Sequence, residues 1–245
     1  MRQGIFTIEE NASLAAGTCK MVLTGDTSDM TAPGQFVNIA LPGRFLRRPI
    51  SVCDRADGRV TLLYKTVGKG TAQMAAMGPG ERLDVLTGLG NGFSLAEARE
   101  RPLLVGGGIG AAPLYWLARE LIVRGVKPHA VLGFNRAADM FYADEFAALG
   151  CAVTVATADG GAGVRGFVTD AMKGVSYSYV YACGPEAMLR AVWDRAETDG
   201  QFSFEARMGC GFGACMGCTR QTTAGPKRVC KDGPVFRKGE ILWET

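Results

Sequence analysis

Residues 102–118 read PLLVGGGIGAAPLYWLA, and this stretch decides the fold class. Its apolar start is typical of a buried strand, its glycines form a turn, and a helical pattern runs from Ala111 to Val123. Three further strand-like runs follow, HAVLGFN, AVTVATADG and SYVYACG, and they alternate with helical runs. This alternation predicts an open parallel sheet with helices on both faces.

The glycine turn of this stretch indicates a nucleotide site. Glycines between a strand and a helix let backbone N–H groups approach a pyrophosphate at the helix N-terminus. The pattern differs from the ordinary dinucleotide fingerprint, because Pro113 lies in the first helical turn and no acid ends the second strand. A glycine turn required only for packing is the alternative.

A second candidate for the same crevice is ACGPEAML, at residues 182–189. Cys183 lies at the carboxyl end of the fourth predicted strand, where ligands of parallel sheets bind. The alternative is a buried cysteine followed by a proline that begins a helix. The nearby glycine turn favours the functional interpretation.

The residues before this stretch predict a small antiparallel barrel. Six short β-rich runs precede residue 100: GIFTIEE, TCKMVLTG, QFVNIAL, RPISVCD, RVTLLYKTV and RLDVLTG. Turn dipeptides such as Pro33-Gly34 and Pro79-Gly80 separate them, and one helix is expected at Thr71–Met77. One face of such a barrel can line a ligand groove.

Three segments of the barrel carry candidate chemistry. In LRRPIS, residues 46–51, arginine can bind phosphate through two N–H groups and serine can hydrogen-bond a ring nitrogen. An edge strand with surface arginines is the alternative. Leu63-Tyr64-Lys65 offers a ring for stacking, and Gly68-Lys69-Gly70-Thr71 offers a second glycine turn before a helix.

The C-terminal segment has little periodicity but holds four cysteines. Cys210, Cys215, Cys218 and Cys230 have the spacing C-x4-C-x2-C-x11-C, and the first part of this pattern is typical of plant-type [2Fe–2S] sites. Interleaved glycines let the backbone wrap the sulfurs closely. Phe212 and Met216 are expected to shield the cluster or face a partner. The alternative is structural zinc, although zinc sites prefer two CxxC-like pairs.

Composition excludes several classes of protein. The net charge is +3 and no Lys/Arg block occurs, so a nucleic-acid binder is not expected. The longest uncharged stretch, residues 102–118, contains four glycines and two prolines, so no membrane span is expected. The N-terminus carries acids where a signal peptide needs an apolar core, which predicts a cytoplasmic protein. In a reducing compartment, clustered cysteines are more often metal ligands than disulfides.

In chain order, RPIS, GGGIGxxPL, CGP and CGxGxCxxC resemble the motifs of the ferredoxin reductase-like flavoprotein superfamily. Within it, the chain is most similar to the electron-transfer subunits of class 1B dihydroorotate dehydrogenases, above all in MGCGFGAC and VCKDGPVF. The resemblance covers essentially the whole chain. It implies a β barrel plus an α/β fold: an antiparallel FAD-binding barrel (1–99), a parallel-sheet NAD-binding domain (100–203) and a small [2Fe–2S] module (204–245).

The resemblance also implies the contacts of each cofactor. FAD would be held by Arg48, Pro49, Ile50 and Ser51, by Leu63, Tyr64 and Lys65, and by Gly70 and Thr71. NAD would be held by Gly107, Gly108, Gly110, Cys183 and Gly184. The iron–sulfur cluster would be held by Cys210, Cys215, Cys218 and Cys230. No residue is assigned a certain catalytic role, with Cys183 near the nicotinamide and Ser51 near the flavin ring as candidates. GGAG at 160–163 departs from the more polar family segment and leaves the adenosine-side contacts open.

The implied activity is that of an oxidoreductase subunit in pyrimidine biosynthesis. An FMN-containing catalytic subunit would oxidise dihydroorotate, and electrons would cross the [2Fe–2S] cluster and FAD to NAD+. The assembly would be a heterotetramer with two copies of each subunit. The alternatives are an NAD(P)H reductase subunit of a hydrogenase, sulfite reductase or ferredoxin-linked complex, and a zinc-stabilised nucleotide-binding regulator. The sole histidine, His129, is expected to be structural.

Overall fold

The β-rich first hundred residues form a closed six-stranded barrel in the computed structural model, which describes residues 1–243. Strands β1 to β6 span Arg2–Ala15, Thr18–Thr24, Phe36–Ile39, Arg48–Ala56, Arg59–Lys65 and Arg82–Leu89. Around the barrel their order is β1-β2-β5-β4-β3-β6, and every pair is antiparallel. Helix α1 spans Lys69–Ala75, so it begins two residues before the predicted Thr71. The predicted barrel is confirmed.

Side chains alternate across the short strand β3. Val37 and Ile39 fill the apolar interior of the barrel. Phe36 packs in a different core cluster outside the barrel, and Asn38 contacts the C-terminal segment. This alternation follows from the two-residue period of a strand. The outer face of β3 therefore supports the rest of the molecule.

The predicted strand–helix alternation forms a second sheet. Strands β7 to β15 span Pro102–Gly107, His129–Phe134, Ala152–Thr157, Val164–Arg165, Tyr179–Cys183, Gly200–Ser203, Thr219–Thr222, Gly225–Arg228 and Val235–Arg237. The sheet has seven of these strands, in the order β10-β9-β8-β7-β11-β12-β15. Helices α2 to α5 span Ala111–Val123, Ala143–Leu149, Val168–Ala171 and Glu186–Arg195. Neighbouring strands are parallel except β15, which is antiparallel to β12. Strands β13 and β14 form a separate hairpin.

The sheet contains three strands that the sequence did not predict. The four expected strands are present, and β10, β12 and β15 extend the sheet at its two sides. Strand β12, GQFS, lacks a β-branched run and forms because it is buried between β11 and β15. Strand β15 comes from the predicted cluster module, so that module shares a strand with the nucleotide-binding sheet. The three-part division stays a prediction, and its residues 244–245 lie outside the described range.

Helix α2 lies between the sheet and the barrel. Trp116 packs with the apolar cluster of the barrel, whereas Leu117 and Leu121 pack with the sheet and with Leu63 of β5. The C-terminal segment also packs on the barrel, because Cys218 and Cys230 share a core cluster with Phe36. In residues 1–243, no helix has the length and apolar character needed to cross a membrane.

Candidate functional site

The glycine turn and the Cys-Gly-Pro turn pack against each other at the carboxyl edge of the sheet. Strands β7 and β11 are neighbours, with Gly106 opposite Cys183. A Cβ at Gly110 would overlap the carbonyl oxygen of Cys183, and a Cβ at Gly107 would overlap Met188 Sδ. Close packing against backbone therefore requires Gly110, whereas a side chain at Gly107 would have to displace Met188. The five predicted NAD contacts, Gly107, Gly108, Gly110, Cys183 and Gly184, lie together at this edge, where ligands of parallel sheets bind, and their contact with NAD stays a prediction.

Lys65 of the barrel lies next to this crevice. Gly108 has a φ of +53°, and a Cβ placed there would lie 3.7 Å from Lys65 Nζ. The side chain of Lys65 follows Tyr64 at the end of β5, so it points away from the barrel interior that Tyr64 occupies. The predicted flavin segment and the predicted nucleotide turn are therefore adjacent in space.

Glu205 is a titratable residue of this region that sequence reasoning missed. Glu205 is exposed, yet desolvation by the protein around its carboxyl group raises its pKa, although Lys65 acts to lower it. Glu205 lies two residues after β12, and β12 pairs with the strand that ends at Cys183. Because β12 was not predicted, nothing in the sequence placed this acid at the crevice.

The two titratable side chains that the sequence singled out in the sheet are Cys183 and His129. Burial raises the pKa of the Cys183 thiol to about 12, with a contribution from Glu205, while a hydrogen bond with Ser203 acts to lower it. This thiol is therefore protonated at neutral pH and is not a nucleophile. His129 Nε2 lies 2.8 Å from Thr154 Oγ1, and burial lowers its pKa. Both observations agree with the structural role expected for His129.

The first residues of β4, Arg48–Ser51, leave a gap in the pairing of the barrel wall, which we call the groove. Arg48–Ser51 pair with β3 on one side, but pairing of β4 with β5 starts only at Val52. All four side chains are half-buried. Strand β4 as a whole is not an edge strand, because it lies between β3 and β5 in the closed barrel, although its first four residues are unpaired on the β5 side. Its open start leaves backbone groups and the Ser51 side chain available to a planar ring, as the predicted flavin contacts require.

Arg48 provides the charge expected for a phosphate site. A Cβ at Gly70 would overlap Arg48 Nε, so the guanidinium lies directly against the first turn of α1. Arg48 Nη1 also donates to the carbonyl oxygen of Leu46 at 2.5 Å. The Thr71 hydroxyl accepts hydrogen bonds from the backbone N–H groups of Val67 and Gly68, so it caps this turn. Phosphate binding by Arg48, Gly70 and Thr71 stays a prediction.

The side chains of Leu63 and Tyr64 do not face the groove. Tyr64 is 1% exposed, and its hydroxyl donates to Asn11 Oδ1 at 2.8 Å inside the barrel. Leu63 is buried among residues of α2 and the sheet. The interpretation of Tyr64 as a stacking ring is therefore wrong. At this segment only the strand backbone and the side chain of Lys65 remain available to a cofactor.

The four C-terminal cysteines form two pairs. Cys215 lies beside Cys210, and Cys218 lies beside Cys230, close enough for each to shift the pKa of its neighbour. In the described range 1–243, no three Cys, His, Asp or Glu side chains are grouped so that they could hold one metal ion. Two pairs fit two bridged irons, because four thiolates are shared between the two iron atoms of a [2Fe–2S] cluster.

The backbone of the cysteine loop directs N–H groups at the sulfurs. Ala214 and Cys215 donate to Cys210 Sγ at 3.2 and 3.4 Å, and Cys230 donates to Cys218 Sγ at 3.4 Å. Burial of the Cys210 thiol acts to raise its pKa, but the backbone donors outweigh it and lower the pKa to about 6. Such donors stabilise the thiolate form that binds iron.

The shape of the loop allows this wrapping. Gly211 and Gly213 have positive φ angles, and so does Met216, at +60°. A side chain at Gly209 would place its Cβ 3.2 Å from Cys215 Sγ, inside the space around the thiols. Met216 and Phe212 are 53% and 41% exposed. The residues present therefore fit an iron–sulfur cluster.

Comparison with known proteins gives two family matches. Residues 205–242 match the iron-sulfur cluster binding domain of dihydroorotate dehydrogenase B, and residues 104–194 match the oxidoreductase NAD-binding domain. The dihydroorotate dehydrogenase B (NAD(+)) electron transfer subunit of Bacillus caldolyticus is 45% identical over 250 residues, covering 96% of this chain and 97% of the relative. The same subunit of Bacillus cereus (strain 03BB102) is 42% identical over 257 residues, covering 98% of each chain.

Solved structures confirm the fold. A chain of the NADH-dependent reduced ferredoxin-NADP oxidoreductase, described for flavin-based electron bifurcation, superposes with a TM-score of 0.90 at 31% identity. That match covers 98% of this chain and 90% of the other. Phthalate dioxygenase reductase, described as a modular structure for electron transfer from pyridine nucleotides to [2Fe–2S], has a TM-score of 0.67 at 21% identity. This match covers 83% of this chain and 70% of the other. At 21% identity it shows only that the two chains share a fold.

Proposed function

The chain belongs to the family of dihydroorotate dehydrogenase B (NAD+) electron transfer subunits, and from this premise we propose that it passes electrons from an FMN-containing catalytic subunit to NAD+. That partner would oxidise dihydroorotate in pyrimidine biosynthesis. The chain is an oxidoreductase subunit whose cofactors are FAD, a [2Fe–2S] cluster and NAD. When bound, a flavin exchanges electron pairs with nicotinamide and single electrons with an iron–sulfur cluster.

The observation that carries this proposal is the position of the cysteine loop on the barrel. Asn38 Nδ2 donates to the carbonyl oxygen of Cys210 at 3.1 Å. Asn38 is also the direct partner of Pro49 in the pairing of β3 with β4. The cysteine pairs therefore lie beside the open groove at the start of β4, and Lys65 connects that groove to the glycine crevice. Three adjacent sites in this order suit a relay between a protein partner and NAD+.

The roles of this chain's own residues follow from their environments. Arg48 would bind a pyrophosphate through its guanidinium, and the open backbone of residues 48–51 would orient the flavin ring. Lys65 would contribute positive charge where the crevice meets the barrel. Cys183 would pack against the nicotinamide as a neutral thiol, because burial raises its pKa. The base that acts on dihydroorotate would belong to the partner.

The partner would dock on the cysteine loop. Cys215 is exposed, and Phe212 and Met216 beside it present apolar surface to solvent. Apolar side chains around a site of electron exchange suit a protein contact that excludes water. The proposed assembly contains two copies of each subunit, and the cytoplasm stays the predicted location.

The substitution Cys215→Ser tests this proposal. It removes one thiolate from an exposed cluster pair without touching the barrel groove or the glycine crevice. We expect electron exchange with the catalytic subunit to be lost, while reduction of the bound flavin by NADH continues at nearly the wild-type rate. Both reactions are followed by anaerobic stopped-flow absorbance. Cys19→Ser is the matched control, because Cys19 lies on β2, outside the cluster loop.

Two outcomes would contradict the proposal. One is an equal loss of both reactions in folded Cys215→Ser protein. The other is the absence of iron and acid-labile sulfide from anaerobically isolated wild-type protein. Co-purification with a hydrogenase or sulfite reductase, instead of an FMN-containing dihydroorotate oxidase, would support the reductase alternative.

A further inference from the structure

Asn38 is a buried polar residue at the junction of two candidate cofactor sites. It is 2% exposed and lies on β3, between the start of β4 and the cysteine loop. The neighbouring residues of β3, Val37 and Ile39, are apolar and fill the barrel. An asparagine is rarely buried so completely unless its amide group has a specific partner.

Within residues 1–243, the one hydrogen bond of the Asn38 side-chain amide is to the first cluster cysteine. Its Nδ2 donates to the carbonyl oxygen of Cys210 at 3.1 Å, and its buried Oδ1 has no hydrogen-bond partner among these residues. Gly211, which follows Cys210, has a φ of +80°, and a Cβ there would overlap Asn38 Nδ2. The glycine thus permits the amide to reach the loop backbone.

The main chain of Asn38 is held just as firmly. Its backbone pairs with Pro49 of β4 and with Leu86 of β6. Arg47 Nη1 donates to its carbonyl oxygen at 3.3 Å while Arg47 also pairs with the carboxylate of Asp84. The side-chain amide therefore projects from a rigid support that is shared with the groove of β4.

We propose that Asn38 is a positioning residue that sets the place of Cys210, and hence of the iron–sulfur cluster, relative to the flavin-binding strand. This inference rests on the proposed function. A leucine of nearly the same shape would bury no unpaired oxygen, and this gain would offset the loss of the donor to the Cys210 carbonyl, so folding stability alone does not select asparagine. The polar side chain is explained by its bond to the loop. That bond connects the strand beside the flavin groove to the backbone of a cluster ligand.

The substitution Asn38→Leu separates positioning from stability. It keeps the branched shape of the side chain and removes the hydrogen bond to Cys210. We expect the thermal midpoint, the FAD content and the rate of flavin reduction by NADH to match the wild type. We expect the electron paramagnetic resonance spectrum of the reduced cluster to change. Electron transfer from flavin to cluster should slow by about tenfold, since small displacements of reacting groups are costly. Asn38→Ala removes the same bond without a new contact and should show the same spectral change.

Asn91→Ala is the matched control. Asn91 Nδ2 also donates to backbone carbonyl oxygens of the C-terminal segment, those of Lys231 and Asp232, at 3.3 and 3.2 Å. Among the described residues, the Asn91 side chain donates to these two carbonyls and not to residues 209–217, so its loss should leave the spectrum and the transfer rate unchanged. Equal changes in Asn38→Leu and Asn91→Ala would overturn the inference, as would a wild-type spectrum and rate in both Asn38 variants. A wild-type protein without flavin or cluster would instead contradict the proposed function.

Discussion

At Gly70 the absence of a side chain creates the space that the Arg48 guanidinium occupies. A Cβ at this position would overlap Arg48 Nε and lie close to the other guanidinium atoms. The backbone of Gly70 is helical and buried, so the glycine is required by space and not by an unusual φ angle. The position of the one arginine expected to bind phosphate thus depends on a residue 22 positions away in the chain.

The substitution Gly70→Val should therefore weaken FAD binding. The added side chain displaces Arg48, and a charge-assisted hydrogen bond contributes about 1.5–3 kcal/mol, so affinity should fall by about tenfold or more. Flavin content after purification and fluorescence titration of the apoprotein with FAD measure this loss. Gly78→Ala is the control, because a Cβ there meets no atom within 4 Å. Undiminished flavin content in Gly70→Val would show that Arg48 does not hold the cofactor.

At the scale of elements, the cysteine loop depends on the hairpin that follows it. Arg228, the last residue of β14, donates from Nη1 to the carbonyl oxygen of Gly213 at 2.9 Å. Its Nε donates to Asp232 Oδ2 at 3.0 Å, and the bond from Arg228 lowers the pKa of that carboxyl group. The hairpin therefore holds the loop at Gly213, whereas Asn38 holds it at Cys210.

The substitution Arg228→Ala should lower the cluster content of the protein. Without the guanidinium, the Gly213 carbonyl loses its donor and the loop loses its connection to the hairpin. Iron and acid-labile sulfide per chain, measured after anaerobic purification, should fall below the wild-type value. Lys227→Ala serves as the control, because Lys227 is the adjacent residue and pairs with Glu240 away from the loop. The role of Arg228 would be refuted if both variants kept the full cluster.

At the scale of the whole molecule, helix α2 connects the two nucleotide sites. The helix begins after the glycine turn, and its Arg119 pairs with Asp54 of β4 at 2.6 Å and donates to the carbonyl oxygen of Arg55 at 2.7 Å. Burial raises the pKa of Asp54 although Arg119 acts to lower it. Strand β4, whose first residues would hold the flavin, is therefore attached to helix α2. The N-terminus of α2 faces the crevice.

Replacing Arg119 with leucine should affect both stability and function. The loss of the ion pair and of the bond to Arg55 should lower the free energy of unfolding by about 1–3 kcal/mol. For a chain of this size, the thermal midpoint should fall by about 2–12 °C. Flavin reduction by NADH should also slow, because the crevice and the groove are no longer held together. Arg59→Ala, which removes a pair between exposed side chains with Glu9, should change neither quantity appreciably. An unchanged rate of flavin reduction in Arg119→Leu would show that the contact between α2 and β4 does not affect electron transfer from NADH.

The sequence by itself determined the features that depend on local signals. Strand periodicity and turn dipeptides predicted the barrel, and strand–helix alternation predicted the parallel sheet. Cysteine spacing predicted the iron–sulfur loop, because a short loop around two irons restricts where its ligands lie in the chain. These signals are read within a few residues, so they do not depend on how distant segments meet.

Only the tertiary structure decided which side chains meet across segments. Tyr64 looked available for stacking, but the register of β5 points its ring into the barrel. Glu205 and Asn38 carry no local signal, and they became candidates because β12 joins the sheet and the cysteine loop packs on β3. The pairing of short strands is set by burial between neighbours that are far apart in the chain. Those neighbours meet only in the folded molecule, so no local pattern in the sequence predicts the pairing.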